Sequence, residues 1–532
     1  MMSAGCSEIS KNTNWMGVHV SVVAWSAVMW RHVYPWVWCV GLLIACVMFC
    51  SNFCIAATQA RVQALPTTTG CPAWSPQDIE ILTEQLRTVI VGSGLHSAHV
   101  GAILLPLDPA APGAAQYNAE KMFVPASTMK LFTTAAALDI LGYRYTFTTE
   151  FLHTGTIERG ILHGDLIVRS NGDPSFSAKW CPKNDFCMGE IADRLRDKGI
   201  TSINGDLIAD TSLFAGPLLG PAWEWDDLSY YYATPVDALG CGENTVEVSV
   251  FPARVGTPPT VRMVPDGYFT VHNQAITKNK GEDFLLLRAL GAETVTIEGA
   301  LSQGGKGISA AVSVNDPARY FLYNMKLAMN KKGIYISGQS KIHRQSSAGV
   351  LRSLLVRQSP PLIELATVAN MESHNLFAEL LQHAVAQART GQGSFAKGAA
   401  LVQQWAAGLG VGREALSIAD GSGLSRKNLL TPRAMALMLR AMVDRPVFPE
   451  FYETLPVAGR HGSMARRLVG TKGEGTVRGK VGYVTGHSSI AGYAQDQQGR
   501  WVVFAVMVNN NAGEPKTART LQDDIITLIV GR

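Results

Sequence analysis

Residues 145–345 place the strongest limit on the fold. They consist of short β-like runs cut by Gly, Asp, Asn and Pro, such as Gly164-Asp165-Leu166-Ile167-Val168 and Gly205-Asp206-Leu207-Ile208-Ala209, and so predict a mostly β region. The two Gly-Asp-Leu-Ile stretches read as similar strand entries, too short to define a repeat architecture. Helical texture flanks this region. Upstream, Ile79, Ile81, Leu82, Leu86, Val89 and Ile90 mostly recur at helical spacing behind Ser75-Pro76, which suits a cap and first turn. A strand is predicted over 99–107, and a helix from near Ser127 to about Leu141. Downstream, helices are predicted over 361–388, 393–409 and 432–443. Strands dominate 476–509, with a hairpin at Gly499-Arg500, and 518–530 closes as a helix. A chain of 532 residues exceeds one ordinary core. The two ends are therefore expected to build one α/β (α+β) domain from 61–147 and 341–532, around a β-rich insertion at 148–340.

Residues 1–60 form a separate leader. Arg31 and His32 precede an apolar run over 33–49, and Ala56, Ala57 and Ala60 follow it, the pattern of a secretory signal peptide and hence of a periplasmic protein. Residues 1–28 are out of place before such a peptide, whereas a start at Met29 leaves the usual order of basic and apolar regions. An uncleaved anchor over 36–57 and a lipoprotein box at Leu43-Ile44-Ala45-Cys46 are the alternatives, and both imply membrane association. Cys71, Cys181, Cys187 and Cys241 remain in the mature chain. In an oxidising compartment they predict two disulfides, with Cys181 to Cys187 a local loop and three connectivities open. Paired C-x-x-C spacing with nearby His is lacking, so no metal is expected. A formal charge of +4 without basic runs interleaved with aromatics speaks against nucleic acid.

Three short patterns carry chemistry. Ser127-Thr128-Met129-Lys130 sets a hydroxyl and an amine on one side of a helix, one turn apart. Serine becomes a nucleophile when a neighbour takes its proton, and lysine does this once desolvation or another cation lowers its pKa. The pattern recurs at Ser394-Phe395-Ala396-Lys397, where a helix cap followed by a surface lysine is the expected reading. Ser373-His374-Asn375, inside a predicted helical region, offers a hydroxyl to relay a proton and an amide to hold a substrate carbonyl; Ser202-Ile203-Asn204 and Ser313-Val314-Asn315 share its form. Lys480-Val481-Gly482 opens a strand on which a cation can face a cleft while glycine lets substrate approach the backbone.

In that order the three patterns match the set used by β-lactamases and penicillin-binding proteins. The chain resembles the low-molecular-mass class C penicillin-binding proteins, the D-alanyl-D-alanine carboxypeptidase/endopeptidase family. The resemblance extends through Pro125-Ala126-Ser127-Thr128-Met129-Lys130-Leu131, Asn171-Gly172-Asp173-Pro174-Ser175-Phe176, Trp223-Glu224-Trp225-Asp226-Asp227-Leu228 and Asp420-Gly421-Ser422-Gly423-Leu424-Ser425. It covers most of the mature chain, and the interval between Lys130 and Ser373 matches that family's inserted domains.

The resemblance implies a DD-peptidase-type domain, an antiparallel sheet flanked by helices, that works without a cofactor on peptidoglycan stem peptides and is acylated by β-lactams. In this reading Ser127 attacks, Lys130 is the base, Ser373 relays a proton to the departing amine, Asn375 holds the peptide and Lys480 supplies positive charge for the terminal carboxylate. Gly482 and Tyr483 belong to the substrate-binding edge, with the N–H groups of Ser127 and Tyr483 as the oxyanion hole. One departure stands out: Val481 replaces the family's usual threonine and lacks its hydroxyl, leaving Thr485, Ser488 and Ser489 as candidate replacements. Asp173 is read as structural, and Tyr230, Tyr231 and Tyr232, capable of stacking on sugars, as core or interdomain packing beside Trp223 and Trp225. A non-hydrolytic peptidoglycan-binding or β-lactam-sensing protein and an esterase or β-lactamase-like hydrolase remain the alternatives. Oligomeric state is left open.

Overall fold

The computed structural model describes residues 71–532 apart from 182–184, 281–282 and 348, so the leader lies outside the described residues. Its central sheet joins the two ends of the chain. The strands, labelled β1 (His99–Pro106), β2 (Ala115–Tyr117), β3 (Arg478–Val484), β4 (His487–Gln495) and β5 (Trp501–Asn509), lie in the order β2-β1-β5-β4-β3. All neighbours are antiparallel, and β1 pairs with β5 along its whole length, from His99 opposite Asn509 to Pro106 opposite Val502.

Every residue of β5 is buried, because helices cover both faces of the sheet. Period-two alternation sends Val502, Phe504, Val506 and Val508 to one face, together with Val100, Ala102 and Leu104 of β1. There they meet α1 (Pro76–Gly92) and the closing helix α10 (Pro515–Val530). Ser75 caps α1 through a reciprocal capping box with Asp78. Val503, Ala505 and Met507 face the other way with Ile103 and Leu105, into a larger cluster. That cluster is built from α2 (Met129–Leu141), α5 (Leu362–Met371), α6 (Asn375–Thr390), α7 (Phe395–Gly408), α8 (Pro432–Met442) and α9 (Phe448–Glu453). Helix α2 is its axis: every residue from Met129 to Leu138 is buried, as expected of a helix apolar on all sides.

The region between these ends has its own core and is less purely β than its texture predicts. Besides its strands it contains α3 (Met188–Asp197) and α4 (Pro317–Lys331). Helix α4 has legible start signals, an Asp316 cap followed by Pro317. Helix α3 starts from Cys187 in a left-handed conformation without a side-chain cap, so its N-terminus carries no such signal. The two Gly-Asp-Leu-Ile stretches are strand entries, and they lie side by side: Leu166–Ser170 runs parallel to Leu207–Asp210, which runs parallel to Ser340–His343. An aspartate ladder ties their corners, Asp165 Oδ1 accepting from the Asp206 N–H at 2.8 Å and Asp206 Oδ1 from the Gln339 N–H at 2.7 Å. A Cβ at Gly205 would lie 2.2 Å from the Gly164 carbonyl oxygen, which explains the glycine in the stacked corner.

Asp173 is structural as expected: buried, it accepts from the backbone and hydroxyl of Ser175 and pairs with Arg357. The expectation of two disulfides is corrected to one among the described residues. Cys181 bonds Cys187, while Cys71 and Cys241 are free. Cys241 is buried in the core of the inserted region, whereas Cys71 sits beside Gly499 at the β4–β5 hairpin.

Candidate active site

Ser127 lies in a short 3-10 turn, Ala126–Thr128, that leads into α2. Ala126 has φ 48, a left-handed conformation unusual for a residue with a Cβ and of the kind held at functional sites by surrounding structure. The surroundings are specific. Gly423 packs so tightly that a Cβ on it would lie 1.9 Å from the Ala126 carbonyl oxygen, and a Cβ on Gly482 would lie 2.8 Å from the Ser127 nitrogen. The Ser127 turn is thus wedged between the Asp420–Gly423 loop and strand β3, the edge strand of the sheet, whose start is bridged by Val457.

Lys130, one helical turn on, is fully buried. Its Nζ donates to Ser127 Oγ at 2.9 Å, Asn375 Oδ1 at 2.6 Å and the Ser422 carbonyl at 2.7 Å, satisfying all three donors of an ammonium. Burial brings its pKa down to about 7, against the opposing pull of the Glu379 and Asp420 carboxylates. Lys480, also fully buried, reaches Ser373 Oγ at 2.9 Å and the Val481 carbonyl at 2.7 Å. Burial first, and then the charge of Lys130, hold its pKa well below the ordinary lysine value. Two amines and two hydroxyls therefore form paired donor–acceptor units, Lys130 with Ser127 and Lys480 with Ser373, whose amines hold their protons less tightly than ordinary lysines.

The second motif does not continue a helix as predicted. Helix α5 ends at Met371, α6 begins at Asn375, and Ser373 between them has φ 60. This break turns the Ser373 hydroxyl toward Lys480 while Asn375, in the first turn of α6, reaches Lys130. The Asn375 amide nitrogen donates to the Tyr232 carbonyl at 2.7 Å, which fixes the orientation of its oxygen. His374 lines the cleft, pairs through Nε2 with Glu243 at 3.0 Å and packs against Phe377. The other S-x-x-K pattern has the expected bland role: Ser394 caps α7 by accepting from the Lys397 N–H, and Lys397 Nζ reaches Gln392.

Sequence reasoning missed the support beneath Lys130. Glu379 is one helical turn after Asn375 and fully buried, and it accepts from the N–H groups of Gly421 and Ser422 at 2.9 and 2.8 Å. Burial and the neighbouring Asp420 charge raise its pKa well above the ordinary carboxylate range. Asp420 in turn accepts from the Gly423 and Ser425 N–H groups, the Asn428 amide and the Trp223 indole. The advance signals were the i, i+4 spacing of Asn375 and Glu379 on one helix face and the Asp420–Ser425 stretch of the resemblance.

Ser127, Ser373, Asn375, Tyr483 and Thr485 line a cavity of about 490 Å³, with the Arg426 guanidinium and the Asp227 carboxylate at its wall. Of the three candidates for the hydroxyl missing at Val481, Thr485 lines this cavity. Ser489 is engaged with Thr128 and the Pro125 carbonyl, and Ser488 accepts from Gln522. Val481 packs against the cluster on the α1 and α10 side of the sheet. The aromatic stretch expected as packing is corrected in part. Tyr232 is half-buried, but Trp225, Tyr230 and Tyr231 are exposed, because the segment is anchored from its other side.

The family model described as the D-Ala-D-Ala carboxypeptidase 3 (S13) family matches residues 82–529. A D-alanyl-D-alanine carboxypeptidase from Actinomadura sp. is 30% identical over 461 residues, covering 84% of this chain and 83% of the relative. The D-alanyl-D-alanine carboxypeptidase DacB of Haemophilus influenzae is 28% identical over 419 residues, covering 76% of this chain and 85% of its own. The crystal structure of penicillin binding protein 4 from the same organism superposes with a TM-score of 0.74 at 25% identity, covering 84% of this chain and 98% of that one. A β-lactam complex of that protein superposes with a TM-score of 0.69 at 24% identity over the same shares.

Proposed function

The chain belongs to the D-Ala-D-Ala carboxypeptidase 3 (S13) family, and from that membership we propose that it removes the terminal D-alanine of peptidoglycan stem peptides through an acyl-enzyme on Ser127. The observation that carries this reading is the 2.9 Å contact between Lys130 Nζ and Ser127 Oγ inside a buried hub that lowers the lysine pKa to about 7. Neutral Lys130 takes the proton of Ser127 as Oγ attacks the carbonyl of the penultimate D-alanine. The N–H groups of Ser127 and Tyr483 receive the developing oxyanion. The Lys480–Ser373 pair hands a proton to the departing D-alanine amine and recovers one from Lys130, which is neutral again; Lys130 then takes a proton from the water that attacks the acyl-serine and returns it to Ser127 Oγ as the acid leaves. Asn375 holds the peptide in register. Lys480 and the Thr485 hydroxyl face the terminal carboxylate.

The same acyl transfer on a cross-linked peptide is endopeptidase chemistry, and a β-lactam, which presents its carbonyl in place of the D-Ala-D-Ala bond, acylates Ser127 covalently. The non-hydrolytic alternative has no observation in its favour, since nucleophile, base and relay are assembled together. Family membership weighs against an esterase or a dedicated β-lactamase. The leader pattern assigns the enzyme to the periplasm; among the described residues no helix is long and apolar enough to cross a membrane. The catalytic unit is assigned to 61–147 and 341–532, supported by the β1–β5 pairing, with 148–340 as the insert. The test is release of D-alanine from a pentapeptide ending in D-Ala-D-Ala. Wild type is expected to turn over, and Lys130→Met to be slower by about 10³-fold. Turnover within a few-fold of wild type in Lys130→Met would remove the lysine from the base role.

A further inference from the structure

The segment from Trp223 to Tyr232 is bound to the catalytic centre by one side and bare on the other. On the inner side the Trp223 indole donates to Asp420 at 2.9 Å, Glu224 pairs with Arg426 at 2.9 Å, and the Tyr232 carbonyl accepts from the catalytic Asn375. The Tyr232 hydroxyl donates to Asp227, and its ring stacks on Tyr230 at 5.5 Å with the planes 7° apart. On the outer side Trp225 is 72% exposed, Tyr231 60% and Tyr230 44%. Tyr230 and Tyr231 are held against Tyr232, and large aromatic rings left in water are a costly surface unless something covers them. Exposed Asp226 stands among them, and Tyr231 also lines the cavity that holds Ser127, so the patch continues the catalytic cleft outward.

We propose that Trp225, Tyr230 and Tyr231 form a saccharide platform that binds the N-acetylated amino-sugar strand of peptidoglycan beside the catalytic cleft. This rests on the peptidoglycan reading above. A pyranose ring offers flat C–H faces to aromatic rings and hydroxyl donors to a carboxylate such as Asp226, a match for the mixed surface seen here. The geometry of the substrate points the same way. A stem peptide whose D-Ala-D-Ala end is at Ser127 carries its sugar about four residues upstream, ~14 Å away when extended, and so outside a cleft of this size. The sugar must then lie on the rim, where the platform stands. Anchoring of Trp223 by Asp420 and of the Tyr232 backbone by Asn375 holds the segment that carries these rings, so binding there spends less ordering entropy than on a free loop.

The experiment compares one stem pentapeptide with and without its attached disaccharide, on wild type, Trp225→Ala and Tyr230→Ala, with D-alanine release as the readout. The wild-type kcat/KM is expected to be about tenfold higher for the sugar-linked form, a gain of about 1.4 kcal/mol. Trp225→Ala is expected to erase that preference and leave turnover of the free peptide unchanged. A peptide-free N-acetylglucosamine oligomer is expected to quench the tryptophan fluorescence of wild type but not of Trp225→Ala. Equal wild-type turnover of the two substrates overturns the platform, as does an equal loss on both in Trp225→Ala. Sedimentation that shows a dimer broken by Trp225→Ala, with no oligomer binding, assigns the patch to a second copy and also overturns it. Failure to process either peptide overturns the carboxypeptidase reading instead, while the fluorescence titration still decides the platform.

Discussion

Lys130 and Lys480 are both fully buried, and the charge of Lys130 bears on Lys480, so two full charges would repel in a medium that solvates neither well. Lys130 must be neutral to act as base. With a folded pKa of about 7, it holds its proton below that value and loses it above. The acylation rate is therefore expected to climb as pH rises through about 7 and then level off, measured as kcat/KM or as penicillin acylation rate against pH. A limb near the ordinary lysine value of 10.5 would contradict the assignment. Glu379 acts on the same group through the backbone it grips. Replacing it by alanine leaves two buried N–H groups unpaired and opens a cavity, so Glu379→Ala is expected to lose about 3 kcal/mol in denaturant unfolding. At this scale the proposed reacting groups, Ser127, Lys130, Ser373, Asn375 and Lys480, stand in short spaced patterns, and Asp420 opens one of the stretches that carry the resemblance, whereas Glu379 is an ordinary carboxylate until the fold brings it beneath Lys130.

Periodicity located the elements well where one face alone had to be apolar, as in α1 and α8, and the Gly499-Arg500 turn located the β4–β5 hairpin, whose strands are buried on both faces. It failed at the break between α5 and α6. Residues 361–388 keep helical texture throughout, and nothing in Glu372-Ser373-His374 announces a left-handed turn, since no glycine or proline marks it. The strain is held by tertiary contacts: Lys480 on Ser373, Glu243 on His374 and Lys179 on Glu372. Strand β3 gives a sharper case. Its glycine was read as room for substrate, but a Cβ on Gly482 would also lie 2.4 Å from Ser489 Oγ and 2.7 Å from the Pro125 carbonyl oxygen. Gly482→Ala is therefore expected to push β3 from the nucleophile's turn and slow penicillin acylation by about 10²-fold, with the fold retained. Acylation at the wild-type rate would show that the contact between β3 and the turn is dispensable.

Across the whole molecule, the rejoining of the two chain ends was legible because matching strand and helix textures flank a region of different texture. What the inserted region does for the site was not. Trp223 reaches Asp420 across 197 residues and Tyr232 reaches Asn375 across 143, and a single sequence carries no signal for pairs so far apart. These contacts make the insertion a wall of the active site as well as a separate core. The account as a whole depends on one covalent bond. The direct measurement is the intact mass of the purified protein with and without penicillin, alongside Ser127→Ala. One penicilloyl adduct on the wild type, absent from a folded Ser127→Ala, is the predicted result; an adduct that persists in Ser127→Ala, or its absence from both proteins together with no release of D-alanine, would contradict it.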